Sequence, residues 1–238
     1  MKLKFIVTVL VCASAVFCQA QLNIGIRAGG NYSNVSGPSP SEYKYRPGFH
    51  GGAYIEYIFA KNFSFQTEAV YSLKGFRHKY STTTVFPTNI VSEDINVLYD
   101  LSYVDVPLLL NITFGSMGTY IGLGPQISFL TGVKWDGDNS ITTATKTPPS
   151  SSGSIVTLSG SGKDGWNPVD VGFVVGAGSK FDTGFEYCLR AGYGLTNAID
   201  PSKSTIKDSY HNLVFTATLG FAFGKREAHG SGHMKRRR

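Results

Sequence analysis

The feature that most constrains the fold of this chain is an apolar residue at every second position, repeated in eight separate runs. In the last run, Leu213, Phe215, Leu219 and Phe221 all fall on one side of the alternation. A period of two is typical of a strand whose two faces meet different environments. The runs lie near residues 22–33, 47–60, 63–76, 98–114, 119–131, 169–181, 184–196 and 210–223. Each is longer than the roughly 9 to 11 residues that a tilted strand needs to cross a bilayer.

The connections between these runs alternate in length. Short turns lie at residues 61–62, 115–118 and 182–183, and long segments lie at 34–46, 77–97, 132–168 and 197–209. Short turns on one side and long loops on the other are typical of barrels in bacterial outer membranes. The sequence therefore predicts an all-β fold, an eight-stranded antiparallel up-and-down transmembrane β-barrel over residues 21–224, with both ends on the short-turn side.

Aromatic residues cluster at the two ends of the predicted strands, as they do at the membrane interfaces of outer-membrane barrels. The cluster at the short-turn ends contains Tyr57, Phe59, Phe63, Phe65, Phe114, Phe181, Phe185, Tyr187, Phe221 and Phe223. The looser cluster at the long-loop ends contains Tyr32, Phe49, Tyr99, Phe129, Tyr193 and Tyr210. We expect these to form two aromatic girdles.

The other side of the alternation carries charged residues and glycines, and we assign it to the barrel interior. An eight-stranded barrel is only wide enough inside for its own side chains, so buried charges there must pair with one another. We predict a structural ion network formed by Arg27, Glu56, Glu68, Asp105, Asp170, Lys180, Glu186 and Arg190, with Lys74 also facing inward. Such an interior is a polar plug and not a pore.

The two ends of the chain differ in composition from the predicted barrel. Residues 1–20 begin with two lysines, continue through an apolar stretch and end in small residues, which predicts a secretory signal peptide cleaved after Ala20. Residues 225–238 form a basic tail that we expect to be disordered. Residues 21–224 hold 14 basic and 15 acidic residues, so the net charge of +6 comes from the ends and gives no case for nucleic-acid binding.

Four stretches resemble a known family. In chain order they are GFHGGAYIEY at residues 48–57, YVDVPLLL at 103–110, YIGLGPQISFL at 120–130 and FEYCLRAGYGLTNA at 185–198. Together they resemble the PorT-like outer-membrane β-barrel family of Bacteroidetes over residues 22–224. The resemblance implies a signal-bearing eight-stranded barrel in the outer membrane. It also implies structural ion pairing at Asp105, Glu186 and Arg190. The founding member takes part in protein secretion, whereas most members have no assigned activity. The basic tail departs from the family pattern.

From these patterns we expect a non-enzymatic outer-membrane protein with a structural or interaction role, without a catalytic, cofactor or metal site. The expected partners are outer-membrane lipid and, through the loops at 77–97 and 132–168, a protein. Two alternatives stay open at this stage. One is a narrow porin, and the other is a lipid-modifying enzyme that uses Ser209 and His211, which share one strand face as a nucleophile and base would.

Metal binding has little support in the sequence. The segment WDGDNS at residues 135–140 offers Asp136 and Asp138 at a spacing that calcium loops use, but it lacks the glycine and the closing glutamate of an EF-hand. His50 and His78 are isolated, and Cys188 is the one cysteine after the predicted cleavage site. We therefore interpret WDGDNS as part of a solvated loop.

Overall fold

The computed structural model describes residues 21–115, 118–204 and 208–223. The predicted signal peptide at 1–20 and the basic tail at 225–238 lie outside the described residues. Within the described residues there are nine strands. They are β1 (Gln21–Ser36), β2 (Tyr43–Ala60), β3 (Phe63–Val85), β4 (Asn89–Phe114), β5 (Thr119–Lys146), β6 (Pro149–Ser161), β7 (Val169–Lys180), β8 (Phe185–Gly194) and β9 (His211–Ala222). None of these residues belongs to a helix of the length and hydrophobicity needed to cross a membrane.

Eight of the nine strands form a closed antiparallel ring. Each strand from β1 to β5 pairs with the next, β5 pairs with β7, and β7, β8 and β9 follow in order. The ring closes where β9 pairs with β1, from Gly25 opposite Ala222 to Ser36 opposite His211. The predicted eight-stranded up-and-down barrel is confirmed, and its short turns lie where the sequence places them.

The prediction of long loops at 77–97 and 132–168 is wrong over much of their length. Strands β3 and β4 continue past the barrel to a hairpin turn at residues 86–88. Strand β5 runs on to Lys146, and the added strand β6 returns along it, pairing only with β5. Segments such as STTTV at 81–85 are rich in the β-branched residues that favour strands. Their two faces both lie outside the membrane, so the apolar alternation that marks the barrel strands weakens there.

These extensions form a four-stranded sheet beyond the ring, which we call the external sheet. It consists of residues 79–85 of β3, 89–97 of β4, 134–146 of β5 and all of β6. The segment WDGDNS lies in the middle of β5 and is not a loop tip. The ring therefore holds the external sheet at the long-loop end.

The aromatic side chains of the barrel face outward at the short-turn end. Phe59 stacks on Phe65 with ring centroids 4.9 Å apart, and Phe181 stacks on Phe185 at 6.1 Å. At the other end, Tyr32 and Tyr45 stack at 4.8 Å on the outer surface. Two residues assigned to the outer girdle, Tyr99 and Tyr210, point inward instead. They pack in an apolar cluster at the mouth of the barrel, where Tyr210 is 8% exposed.

Pairing of β6 with β5 predicts which engineered cysteines form a disulfide. Ser140 lies directly opposite Ile155, so we expect the double variant Ser140→Cys, Ile155→Cys to crosslink under mild oxidation. The control Ser140→Cys, Ser151→Cys displaces the second cysteine by four residues, about 13 Å along the strand, and is expected to stay reduced. Gel mobility after cleavage between the two positions measures the crosslink. Equal crosslinking in both variants would contradict a fixed β5–β6 register.

Candidate functional site: a plugged lumen beneath an external sheet

The centre of the lumen is filled by two arginines and two glutamates. Arg27 donates hydrogen bonds to Glu68 at 2.6 Å and to Glu186 at 2.5 Å. Arg190 donates two more to the Glu68 carboxylate, at 2.7 and 2.9 Å. The Tyr54 hydroxyl donates to Glu186 at 3.1 Å, and the Tyr54 ring lies 4.6 Å from the Arg27 guanidinium carbon. Because these residues come from β1, β2, β3 and β8, the group links walls that are not neighbours in the ring.

A second group of polar side chains closes the lumen toward the short turns. Lys180 donates to Glu56 and to the Gln66 side-chain oxygen, both at 2.8 Å. Ser64 donates to Glu56 at 2.7 Å, and Asn111 donates to Gln66 at 2.9 Å. Lys180 and Glu56 are 5% and 1% exposed, so this group excludes bulk water from the ion pair.

The third group lies in the outer half of the lumen and departs from the expected pairing. Lys74 donates to Asp105 at 2.7 Å and lies 4.9 Å from the ring of Tyr103. Asp170 forms no ion pair within the described residues; it accepts a hydrogen bond from Asn212 at 2.8 Å. The prediction that Asp170 pairs with a cation is therefore wrong. The lysines and arginines of the lumen are bonded to the other four carboxylates, and the Asn212 amide supplies the hydrogen bond to Asp170.

A cavity of about 60 Å³ lies between the central group and the third group, and an apolar cap covers the outer mouth of the barrel. The cavity is lined by Arg27, His50, Asp105, Asp170 and Arg190 among others, and its volume suffices for a few water molecules. We call the apolar cluster that follows the outer cap; it contains Val35, Phe76, Leu101, Tyr103, Leu130, Val133 and Tyr210, with Tyr43, Tyr99, Trp135, Trp166 and Ile199 packed against it. None of the cap residues lines the cavity. The lumen is thus filled at three levels and covered at a fourth.

Tyr43 shows how polar atoms are handled in the outer cap. Its hydroxyl donates to the Tyr210 hydroxyl at 3.1 Å, and its ring contacts Phe76 edge to face at 5.4 Å. Burial, reinforced by the hydrogen bond to Tyr210, raises the pKa of Tyr43. The Tyr43 phenol therefore stays neutral within the apolar outer cap.

Glycines make room for the long side chains of the lumen. A Cβ at Gly176 would lie 2.4 Å from Cγ of Arg190 and 2.6 Å from the Leu189 carbonyl oxygen. A Cβ at Gly220 would lie 2.5 Å from Oε1 of Glu186. By contrast, the nearest atom to a Cβ at Gly30 is 3.9 Å away. The glycines beside the ion network are therefore required by space.

The external sheet has two different faces and two open edges, one along β6 and a shorter one along residues 80–85 of β3, where the ladder with β2 has already ended. Residues opposite one another share a face, so Tyr80, Ile95 and Val156 continue the side that begins at the outer cap. The opposite face carries charged residues, namely Lys79, Asp94, Lys134, Asp136 and Asp138, and Arg77 lies on the same side of β3 just before the sheet begins. Strand β6 has a partner on one side only, contains no charged residue over its 13 positions, and exposes Ile155 and Val156 by 74% and 52%.

Ser209 and His211, the residues of the catalytic alternative, have different surroundings. Ser209 is exposed, and His211 lies against the ring of Tyr193 at 5.8 Å between centroids. No hydrogen bond joins Ser209 to His211 within the described part of the chain.

The two aspartates weighed as calcium ligands, Asp136 and Asp138, point outward from one strand. Among residues 21–115, 118–204 and 208–223, no cluster of three or more His, Cys, Asp or Glu side chains is arranged to hold a metal ion.

Sequence reasoning missed the outer cap and the external sheet edge. Trp166 and Ile199 reach the cap from two different connections and meet in an isolated β-bridge. Neither residue lies in an alternating run, so only their apolar character inside a polar segment could have indicated burial. Trp135, the first residue of the segment interpreted as a solvated loop, lies in β5 and packs against the cap.

Removal of Arg190 tests the ion network. Arg190→Ala leaves Glu68 with one arginine in place of two, and we expect a loss of about 3 to 5 kcal/mol in unfolding free energy, the usual effect of breaking a buried ion pair. Denaturant titration of the folded, gel-shifted form measures the change. The control Lys203→Ala removes an exposed lysine 3.6 Å from Asp200 and should leave the midpoint unchanged. An unchanged midpoint in Arg190→Ala would contradict the assigned role.

A glycine pair tests the packing of the lumen. We expect Gly176→Ala to lower the temperature at which the folded band disappears on gels, because the added methyl group overlaps Arg190 and a neighbouring carbonyl oxygen. Gly30→Ala adds the same methyl group to a barrel strand without a close contact. Equal effects of the two substitutions would show that strand propensity, and not lumen space, determines the result.

A family model and several solved structures are similar to this chain. The chain matches the family model of the outer membrane protein β-barrel domain over residues 17–200. No curated protein matches it in sequence. Among solved structures it is similar to the Neisserial surface protein A, with 11% identity, a TM-score of 0.43 and coverage of 83% of this chain and 96% of that one.

Two further solved structures are similar at the same level. Ail, the attachment invasion locus protein of Yersinia pestis, has 13% identity and a TM-score of 0.37, covering 84% of this chain and 98% of that one. OprG from Pseudomonas aeruginosa has 12% identity and a TM-score of 0.30, covering 84% and 95%. The match to the family model extends over more than half of the sequence and agrees with the closed ring of eight strands: the chain belongs to the outer membrane protein β-barrel domain family.

Proposed function

We propose that this protein is a non-enzymatic outer-membrane anchor that holds an external sheet outside the cell, where an extended segment of a partner protein adds to the edge of β6. The observation that carries the proposal is the contrast between the inside of the barrel and the sheet outside it. The lumen is packed with paired charges and capped at its outer mouth, whereas a long uncharged strand edge projects beyond that mouth.

The filled lumen argues against transport as the main role. A solute would have to displace the Arg27–Glu68–Arg190 group, the Lys180–Glu56 pair and the outer cap in turn. Breaking a buried ion pair typically costs several kcal/mol, so a path through all three levels would not remain open. Eight strands leave an interior that is only wide enough for side chains.

The edge of β6 is suited to strand addition. An edge strand presents unpaired N–H and C=O groups, and most soluble proteins protect such edges with charges, proline or bulges. Residues 150–161 have neither charge nor proline, and their register with β5 is continuous. An extended peptide satisfies these backbone groups, and pockets between alternate side chains would select its sequence.

The absence of catalysis is part of the proposal and is supported by geometry. Ser209 and His211 are adjacent to the outer mouth, but the ring of His211 lies against Tyr193 and not toward Ser209.

We also propose that residues 1–20 direct export and are removed after Ala20. A link to protein secretion of the PorT-like kind fits an external surface that receives extended chains, and the motif at residues 103–110 supports it.

Site-specific photocrosslinking in cells tests the proposed partner edge. A photoreactive residue at Ile155 is expected to give a protein adduct of discrete mass, because this position is exposed beside the free edge. The same residue at Lys203, an equally exposed loop position, should give none. Adding Val156→Lys places a charge on the edge and should abolish the adduct. An adduct at Lys203 but not at Ile155 would refute the assignment of β6.

A further inference from the structure

Three basic residues lie together on the outward face of β2 and β3, near the outer end of the barrel. Lys44 is directly opposite Arg77 in the ladder, and Lys79 is two residues beyond Arg77 on the same face. All three side chains are exposed, whereas their neighbours Phe76 and His78 turn inward against Tyr43. We call Lys44, Arg77 and Lys79 the basic patch.

The level of the basic patch follows from the apolar band of β3. Outward positions of this strand run from Phe63 through Tyr71 to Leu73, and the ten steps between the first and the last rise about 25 Å at the usual tilt of barrel strands. That distance equals the height of the apolar band of outer-membrane barrels. Arg77 lies four residues further on, about 10 Å above the band. It therefore lies among lipid headgroups and not in hydrocarbon.

Aromatic residues mark the same boundary on the neighbouring strands. Tyr45 stacks on Tyr32 at 4.8 Å and contacts Phe215 at 6.2 Å, and Phe49 lies 6.3 Å from Tyr71. Aromatic side chains of this kind sit at the headgroup level of a bilayer. Lys44 follows directly beyond this group in the direction away from the membrane, which agrees with the level derived from β3.

The charges of the basic patch are available to a ligand. Within the described residues, no salt bridge involves Lys44, Arg77 or Lys79, although each is exposed. Two acids near the basic patch have other partners: Glu42 lies 3.5 Å from His78, and Asp100 lies 2.6 Å from Arg46.

One further acid on this face, Asp94, lies on the adjacent strand β4, diagonal to Lys79, whose ladder partner is Asn96. The others lie two strands away. Asp136 and Asp138 are separated from Arg77 and Lys79 by β4, about 10 Å across the sheet. Lys134 lies next to them on β5, outside the basic patch. The positive potential is therefore local to β2 and β3.

We propose that the basic patch binds the phosphate groups of a phosphorylated glycolipid headgroup in the outer leaflet of the membrane. Arg77 offers two parallel N–H donors to phosphate oxygens, and Lys44, whose Cβ is about 5 Å away, adds a point charge on the same group. Lys79 reaches a second phosphate further from the bilayer. A lipid fits better than a soluble anion because the site borders the apolar band, where acyl chains of the same molecule find the outward residues of β2 and β3.

Native mass spectrometry of the folded full-length protein in detergent tests this proposal. Bisphosphorylated lipid A is the probe, and lipid A lacking both phosphates is the matched lipid. We expect the triple variant Lys44→Gln, Arg77→Gln, Lys79→Gln to bind the probe about tenfold to hundredfold more weakly than the unmodified protein, since each interfacial cation contributes to attraction. The unmodified protein should bind the dephosphorylated lipid no better than the variant binds the probe.

A second triple variant controls for net charge. Lys146→Gln, Lys163→Gln, Lys203→Gln removes the same charge from exposed positions away from the barrel surface and should retain the affinity of the unmodified protein. Heat-shifted gel mobility confirms that each variant is folded. If the basic-patch triple variant is not, the single variant Arg77→Gln, expected to show part of the loss, replaces it and is compared with Lys163→Gln. Equal losses in the two triple variants would overturn the proposal, because they would reflect non-specific attraction.

The source of the phosphate is tested by competition. Inorganic phosphate and soluble glucosamine phosphate, each at a hundredfold excess over lipid A, are expected to displace little of the bound lipid. Full displacement by either soluble anion would refute a lipid site and identify a soluble phosphate ligand instead. Equal binding of lipid A with and without phosphates would refute the role of the basic patch altogether.

Discussion

The pairing of Glu68 with both Arg27 and Arg190 is the interaction on which the rest of this structure depends. An eight-stranded ring leaves no space for bulk water at its centre, so any charge placed there must find a partner from another wall. Glu68 receives three charge-assisted hydrogen bonds from β1 and β8, and Arg27 carries the link on to Glu186. The ring is thus tied across its diameter as well as along its ladders.

This internal filling determines where a function can lie. With the lumen occupied by side chains and covered by the outer cap, the surfaces that remain are the lipid-facing wall and the external sheet. The long strands β3, β4 and β5 pass without interruption from the wall into the sheet, so the rigid barrel sets the position of the β6 edge. We therefore interpret the barrel as a support for the external sheet, and we expect binding specificity to come from that sheet.

The alternation of apolar residues was sufficient to predict the eight-stranded ring, because lipid on one face and a packed polar lumen on the other impose a period of two on every strand. The inward assignment of Arg27, Glu68 and Arg190 followed from the same parity. Asp170 shows the limit of this prediction. The alternation places its side chain inside the barrel, but whether its carboxylate binds a cation or Asn212 depends on the position of β9 relative to β7 in three dimensions. The external sheet was missed because both of its faces lie outside the membrane. Tyr99 and Tyr210 were misplaced because a pattern at a strand end does not distinguish a girdle from a cap.

Electrical conductance of the purified full-length protein in a planar lipid bilayer tests the central claim most directly. A lumen filled by the Glu68 ion network and closed by the outer cap predicts no current steps above the background of the bare membrane, at either polarity and in 1 M salt. Stable, unitary current steps that depend on the inserted protein would contradict this account, because they would require a continuous water path where the structure places paired charges.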